Sequence, residues 1–172
     1  MAQAHPTAQA MLTTNEAGVM PWNEARERLA DPATHHTSWL TTINADGTPH
    51  VVPVGALWID GGLYFTMGQG TKKGNNLARD AHCAIAVAGR GLDFVIEGTA
   101  KRLTTPADLQ RVADAYTTHG WPLSYRDGVL DAPYNAPTTG PSPIEAYALQ
   151  PTTARGFGTE ETTWNRATRW RF

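Results

Sequence analysis

Residues 38–54, "SWLTTINADGTPHVVPV", decide the fold. Trp39, Thr41 and Ile43 alternate against Leu40 and Thr42, a period of two that belongs to a strand. Asp46-Gly47 then supplies the strongest short hairpin signal in the chain, because both residues accept the backbone of a tight turn. "HVVPVGALWID" (50–60) continues as a strand on the far side. Pro53 within it has no N–H to offer a neighbour, and Gly55 follows two residues later. This strand is therefore expected at a sheet edge or a bulge.

Working outward, "PWNEARERLAD" (21–31) places Trp22, Ala25 and Leu29 on one side of a short helix, with Pro21 at its first position and Pro32 as its stop. On the other flank, "DGG" (60–62) turns the chain into the strand "LYFTM" (63–67). Thr71 caps a second helix over 72–79. "CAIAVAG" (83–89) and "LDFVIEGTAKRL" (92–103) read as two more strands. In "TTPADLQRVADAYTTHG" (104–120), Thr105 is the cap, Pro106 opens the first turn and Asp108 lies three after the cap. Leu109, Val112, Ala113 and Tyr116 form the apolar stripe of this helix over 106–118, and Gly120 ends it. Residues 121–143 form a long loop rich in proline and glycine. "IEAYALQPTTARGFG" (144–158) and "TWNRATRWRF" (163–172) are the closing strands. Consecutive hairpins interrupted by short helices predict a mainly β, α+β fold: an antiparallel barrel rather than a parallel βαβ sheet.

The chain has 172 residues and a formal net charge of −2. That length suits one domain with a real core, expected over 21–172 after a polar, flexible leader at 1–20. The charge gives no general attraction to nucleic acid or an anionic membrane, and no apolar run approaches a membrane span. The leader lacks the basic start and apolar stretch of a signal peptide, and Cys83 is the only cysteine. A cytoplasmic home is therefore expected. The histidines show no HxxxH spacing, and His35 and His36 are adjacent in a loop, so no metal site is expected.

"TMGQGTKKGNNLARD" (66–80) carries three glycines and two adjacent lysines before a helix. Unpaired N–H groups at a helix start and a nearby ammonium both favour an anion. GxxxxGK[ST] fails here because Lys73 stands five after Gly68, and GxGxxG fails at the same residue. Two readings remain from the residues alone: a phosphate held by another kind of loop, or a solvated basic turn.

Taken in order, "SWLTTINADGTPHVVPV", "LYFTMGQGTKKGNNLARDAHCAIAV" (63–87), "LDFVIEGTAKRL" and "ATRWRF" (167–172) resemble the pyridoxamine 5′-phosphate oxidase-like superfamily. Within it they are more similar to the actinobacterial flavin/deazaflavin oxidoreductases than to the true oxidases. The resemblance implies an FMN-binding split antiparallel β-barrel with short flanking helices, paired as a homodimer. It implies a cofactor ring along His50, Val51, Val52, Pro53 and Val54. Thr66, Thr71, Lys72, Lys73 and Asn76 would hold the phosphate arm, with Lys73 the main cation and Asn76 bonding the arm or bracing the loop. Near the C-terminus it implies that Trp164, Arg169 and Trp170 reach the partner's cofactor. The other reading of that segment is a last barrel strand with Trp170 or Phe172 in a dimer core. His50 is either a contact to substrate or ring, or a partly buried hydrogen-bonder. Trp39, Trp58 and Trp121 read as packing residues.

The activity so implied is hydride transfer between coenzyme F-420, or FMN, and a small organic substrate with an activated double bond. F-420 is favoured because its anionic tail needs further cations, for which Lys72 with Lys73, Arg79 and Arg90 are available. The alternatives are an FMN-dependent oxidase or reductase, and a non-catalytic binder of flavin, deazaflavin or haem. The closing "RLxP" pattern of the true oxidases is missing, which counts against vitamin B6 oxidation. Tyr134, in the long loop, is the expected substrate contact, and Tyr125, Tyr134 or a water the expected proton source.

Overall fold

The computed structural model describes residues 5–11, 18–31, 37–89 and 91–172. Its elements are β1 (Thr7–Ala10), α1 (Trp22–Ala30), β2 (Ser38–Ile43), β3 (Pro49–Val54), β4 (Ala56–Ile59), β5 (Gly62–Gly68), α2 (Lys72–Arg79), β6 (His82–Ala88), β7 (Leu92–Arg102), α3 (Pro106–Thr118), β8 (Ser124–Arg126), β9 (Val129–Asp131), β10 (Ile144–Gly158) and β11 (Thr168–Arg171). The helix stop at Pro32, the His35-His36 pair and Arg90 lie outside the described residues.

The hairpin that decides the fold is β2 against β3, with Thr42 opposite His50 and Trp39 opposite Pro53. Its turn closes through Asn44 N–H to the Thr48 carbonyl at 2.8 Å, with Gly47 at φ +82. The Asp46 carboxylate accepts from both the hydroxyl and the backbone N–H of Thr48, which holds its pKa below the usual range. The antiparallel sheet runs β1-β11-β10-β7-β6-β2-β3, with β5 and the β8–β9 hairpin joined to β10, and β4 to β5. β3 ends this order, so Pro53 stands on an edge strand as its missing N–H requires. A mainly antiparallel sheet left open, with three short helices among the described residues, is the split barrel expected from the sequence.

Two apolar layers hold it. Inside, Leu40, Phe65, Met67, Ile85, Phe94, Ile96 and Trp170 pack with Ala25 and Leu29 of α1. On the other side of β5, Leu109, Val112, Ala113 and Tyr116 of α3 pack against Tyr64, Leu130, Ile144 and Ala146. β5 is thus covered on both faces, which is why "LYFTM" reads as a continuous run rather than an alternation. Thr105 caps α3 by accepting from Asp108 N–H at 3.2 Å. β10 is the spine: Ile144–Leu149 pair with β5 along one edge and Thr153–Gly156 with β11, while β7 runs along its other edge.

Three expectations need correction. Residues 7–10, read as part of a flexible leader, form β1 and pair with β11, Ala8 opposite Trp170. Residues 121–143 are not irregular throughout, because β8 and β9 form a hairpin around Asp127 and Gly128, both at positive φ. "RDGV" repeats the Asp-Gly signal of the first hairpin, so this one was open to detection. Trp58 and Trp121 do pack, against Trp22 and Tyr116. Trp39 is instead 46% exposed, on the outer sheet face beside Pro53 and Ala86.

Candidate functional site

The site is built around the start of α2. An α-helix leaves its first N–H groups without intrahelical partners. Here Thr71 takes one of them, its hydroxyl accepting from Gly74 N–H at 3.4 Å, while its carbonyl accepts the first regular helical bond, from Asn75 N–H at 2.9 Å. Among the described residues, the Lys72 and Lys73 amides have no acceptor. A helix turns 100° per residue, so the two adjacent lysines diverge. Lys72 is exposed, whereas Lys73 is 9% exposed and donates from Nζ to the Thr138 carbonyl at 2.8 Å. Burial pushes the Lys73 pKa down. An ammonium carries three donors, so this contact leaves Lys73 two.

β3 brings His50 to the same place. Burial lowers the His50 pKa first, and the charges of Lys72 and Lys73 lower it further, so His50 lies within electrostatic reach of both lysines. α2 is fixed to the hairpin by Asn76, whose amide donates to Thr42 Oγ1 at 3.0 Å and Asn44 Oδ1 at 3.1 Å. Of the two roles expected for Asn76, this is the bracing one. Arg79 donates to the Ile43 carbonyl from the far end of the same helix. On β3, Val51 is 53% exposed, Val52 and Pro53 are half-buried and Val54 is buried.

Other expected contacts are elsewhere. Thr66 shares with Tyr64 the face of β5 beneath α3 and is fully buried. Its hydroxyl lies close enough to the Tyr116 phenol to oppose the upward push of burial on that group, yet makes no hydrogen bond. Thr66 therefore has no surface to offer a ligand, because α3 covers its side of the sheet. Trp170 is also fully enclosed. Its Nε1–H donates to the Met20 carbonyl at 2.9 Å, and its ring packs on Trp22 and Phe94. The indole belongs to the chain's own core, which corrects both the cofactor and the dimer-core readings of this residue. Arg169 points out of the sheet, bonded to Gln9 and opposite Arg155, and Trp164 is exposed on the preceding turn. β5, which leads into α2, and β11 both pair with β10, but Gly68 stands opposite Ile144 and Arg169 opposite Arg155, roughly 35 Å apart along that strand. One chain does not bring Trp164 or Arg169 to Lys72.

Tyr134 is 53% exposed on the long loop, and Tyr125 packs beside α3. The part of that loop at the site is 136–143, which sequence reasoning did not single out. Gly68 N–H donates to the Thr139 carbonyl at 2.7 Å and Gln69 N–H to the Pro143 carbonyl at 2.9 Å. These contacts are made by backbone, and no side-chain pattern announces them. Among the described residues no three His, Cys, Asp or Glu side chains gather as a metal site would need. No described helix is long and apolar enough to cross a membrane.

An open antiparallel sheet with a basic helix start beside its edge strand defines a split-barrel protein. The chain matches the pyridoxamine 5′-phosphate oxidase family over residues 22–133 and belongs to it. Among solved structures it is similar to a conserved hypothetical protein from Mycobacterium tuberculosis, with a TM-score of 0.63 and 19% identity over 81% of this chain and 86% of that one. A heme binding protein from Mycobacterium smegmatis has a TM-score of 0.57 and 18% identity over 83% and 57%. An F420 reductase has a TM-score of 0.51 and 19% identity over 75% and 94%. At such identities the likeness is one of fold. No match was found among curated protein sequences.

Proposed function

We propose that the protein is an oxidoreductase that takes a phosphate-bearing deazaflavin or flavin, with F-420 preferred to FMN, and acts on a small organic molecule with an activated double bond. The observation that carries this reading is the cluster at the start of α2: two unpaired amides, exposed Lys72, buried Lys73 with two donors left, and His50 beside them. This donor set fits a phosphate. Preference for F-420 rests on Lys72 and Arg79. Seven residues apart, they share one face of α2 at about 10 Å along its axis, a spacing suited to an extended anionic tail.

When bound, such a cofactor supplies hydride transfer. The residues of this chain bind and orient it. Lys72, Lys73 and the α2 amides hold the phosphate, and the unpaired outer edge of β3 offers backbone groups to the rim of a planar ring. Tyr134, exposed on the long loop, is the residue proposed to contact the substrate.

We also propose a C2 homodimer, supported by exposed Trp39 and Val51 on the outer sheet face and by the distance of Trp164 and Arg169 from the α2 cluster within one chain. A monomeric solution mass at micromolar concentration, with cofactor bound, would remove it.

The test is the absorbance spectrum and mass spectrum of the purified protein, then titration with F-420 and FMN. Reoxidation of the reduced cofactor by an added enone or imine follows. Binding with accelerated reoxidation supports the reading. Binding without turnover leaves a carrier, and binding of neither cofactor overturns the assignment.

A further inference from the structure

Residues 136–143 lie against the glycine-rich turn before α2. Gly68 and Gln69 donate their amides to the Thr139 and Pro143 carbonyls, and Lys73 donates to the Thr138 carbonyl. The segment is itself folded: the Ala136 carbonyl accepts from Thr139 N–H at 3.0 Å and Gly140 N–H at 3.3 Å. The two backbones lie against each other. A Cβ added at Gly68 would stand 2.4 Å from the Pro141 carbonyl oxygen, and one at Gly140 would stand 3.4 Å from the Thr71 methyl. Only glycine at position 68 permits this approach.

We propose that residues 136–143 are a strap that positions the phosphate-holding turn, acting through Lys73, so that this loop sets how tightly the chain takes the phosphate arm of its cofactor. This rests on the function proposed above. A free lysine is long and mobile, and an anion that immobilises it loses part of the contact energy to side-chain ordering. Here the Thr138 carbonyl has already fixed the ammonium, and two of its donors remain for an anion. The Gly68 and Gln69 bonds hold the turn that precedes the unpaired Lys72 and Lys73 amides. Pro137, Pro141 and Pro143 restrict the strap before it docks, so little freedom is lost on ordering. None of the strap's groups needs to touch the cofactor. They are positioning residues.

The experiment loosens the strap and leaves Lys72 and Lys73 in place. Gly68→Ala drives a methyl into the Pro141 carbonyl, and the double variant Pro137→Gly/Pro141→Gly makes the strap flexible without a clash. Affinities of the full-length protein and both variants for FMN and for riboflavin, which lacks the phosphate, are read by flavin fluorescence. FMN affinity should fall about five- to tenfold in each variant, with riboflavin affinity within about twofold of the parent. Amide exchange over 136–143 and at Gly68 and Gln69 should slow when FMN binds the parent. Where F-420 is the ligand taken, the same comparison uses F-420 and its tail-free deazariboflavin. Should Gly68→Ala fail to fold, the proline pair decides alone. Equal loss for both ligands would reduce the strap to a structural brace, and unchanged FMN affinity would refute it outright. Binding of neither cofactor by the parent would fail the functional reading and the strap with it.

Discussion

The start of α2 and the strand β11 carry similar chemistry: two adjacent lysines in one, and Arg169, Trp170 and Arg171 in the other. From residue types alone both look like ligand contacts. The structure separates them by the period of each element. On α2 a step of one residue moves Lys73 under the strap while Lys72 stays in solvent. On β11 the same step flips the side chain through the sheet, so Trp170 enters the core between two outward arginines. Residue type suggests what a side chain does, and register decides whether anything can reach it.

The strongest way to break that contrast is Trp170→Ala. A fully buried indole packed on two aromatic rings should cost about 3–5 kcal/mol when removed, read by urea or thermal unfolding. A loss under about 1 kcal/mol would place the ring outside the core. Next comes Lys73→Ala, which removes the bond to the Thr138 carbonyl and, on the proposed function, a charge-assisted contact to phosphate. Affinity for F-420 or FMN should fall roughly ten- to hundredfold, and unchanged affinity for both would end the phosphate assignment. Lys72→Ala should weaken the same ligands only about two- to fivefold, because an exposed charge is screened. If Lys72 outweighs Lys73, the buried lysine belongs to the strap alone.

Tyr134→Ala sharpens the picture further out. Turnover of accepted substrates should drop while cofactor affinity stays within about twofold, since the proposed phosphate contacts come from α2 and not from Tyr134. Equal turnover across several substrates would discard it as a contact. The smallest effect concerns His50, whose pKa is lowered by burial and then by the two lysines. An NMR titration should find it below the ordinary 6.5. Below that value the unfolded chain binds more protons at this position than the folded one, so His50 weakens folding as pH falls through the window beneath 6.5. Lys72→Ala should move the value part of the way back up, and bound phosphate should raise it as well. A titration at or above 6.5 in the free protein would contradict the cluster.

Much of the fold was legible because its signals are local. Asp46-Gly47 sets the first hairpin, Thr105, Pro106 and Asp108 set the start of α3, and the helices at 22–30, 72–79 and 106–118 lie within a residue of where the sequence placed them. β1 was missed because "TAQA" has almost no apolar pattern and exists through pairing with a strand at the other end of the chain. The site was half legible. Lys72 and Lys73 stand out as types, and Thr71 as a cap. Burial of Lys73 could not be read, because its partner is a backbone carbonyl 65 residues away and every residue has one. Thr66 and Trp170 failed for a related reason: which face of a strand is covered depends on what packs there, α3 in one case and Trp22 in the other.

The 15-residue strand β10 has a consequence for synthesis. It joins β5, β7, β9 and β11 into one sheet, and Ile144 pairs with Gly68 near the middle of the chain. Until the ribosome has released β10, the emerging chain can form its β2–β3, β4–β5 and β6–β7 hairpins but leaves one edge of β7 and one edge of β5 without their common neighbour. Closure must wait for contacts that are distant in sequence, which places folding among the slower, millisecond-to-second β topologies. During that interval the nascent sheet exposes the unpaired strand edges on which chaperones and aggregation compete.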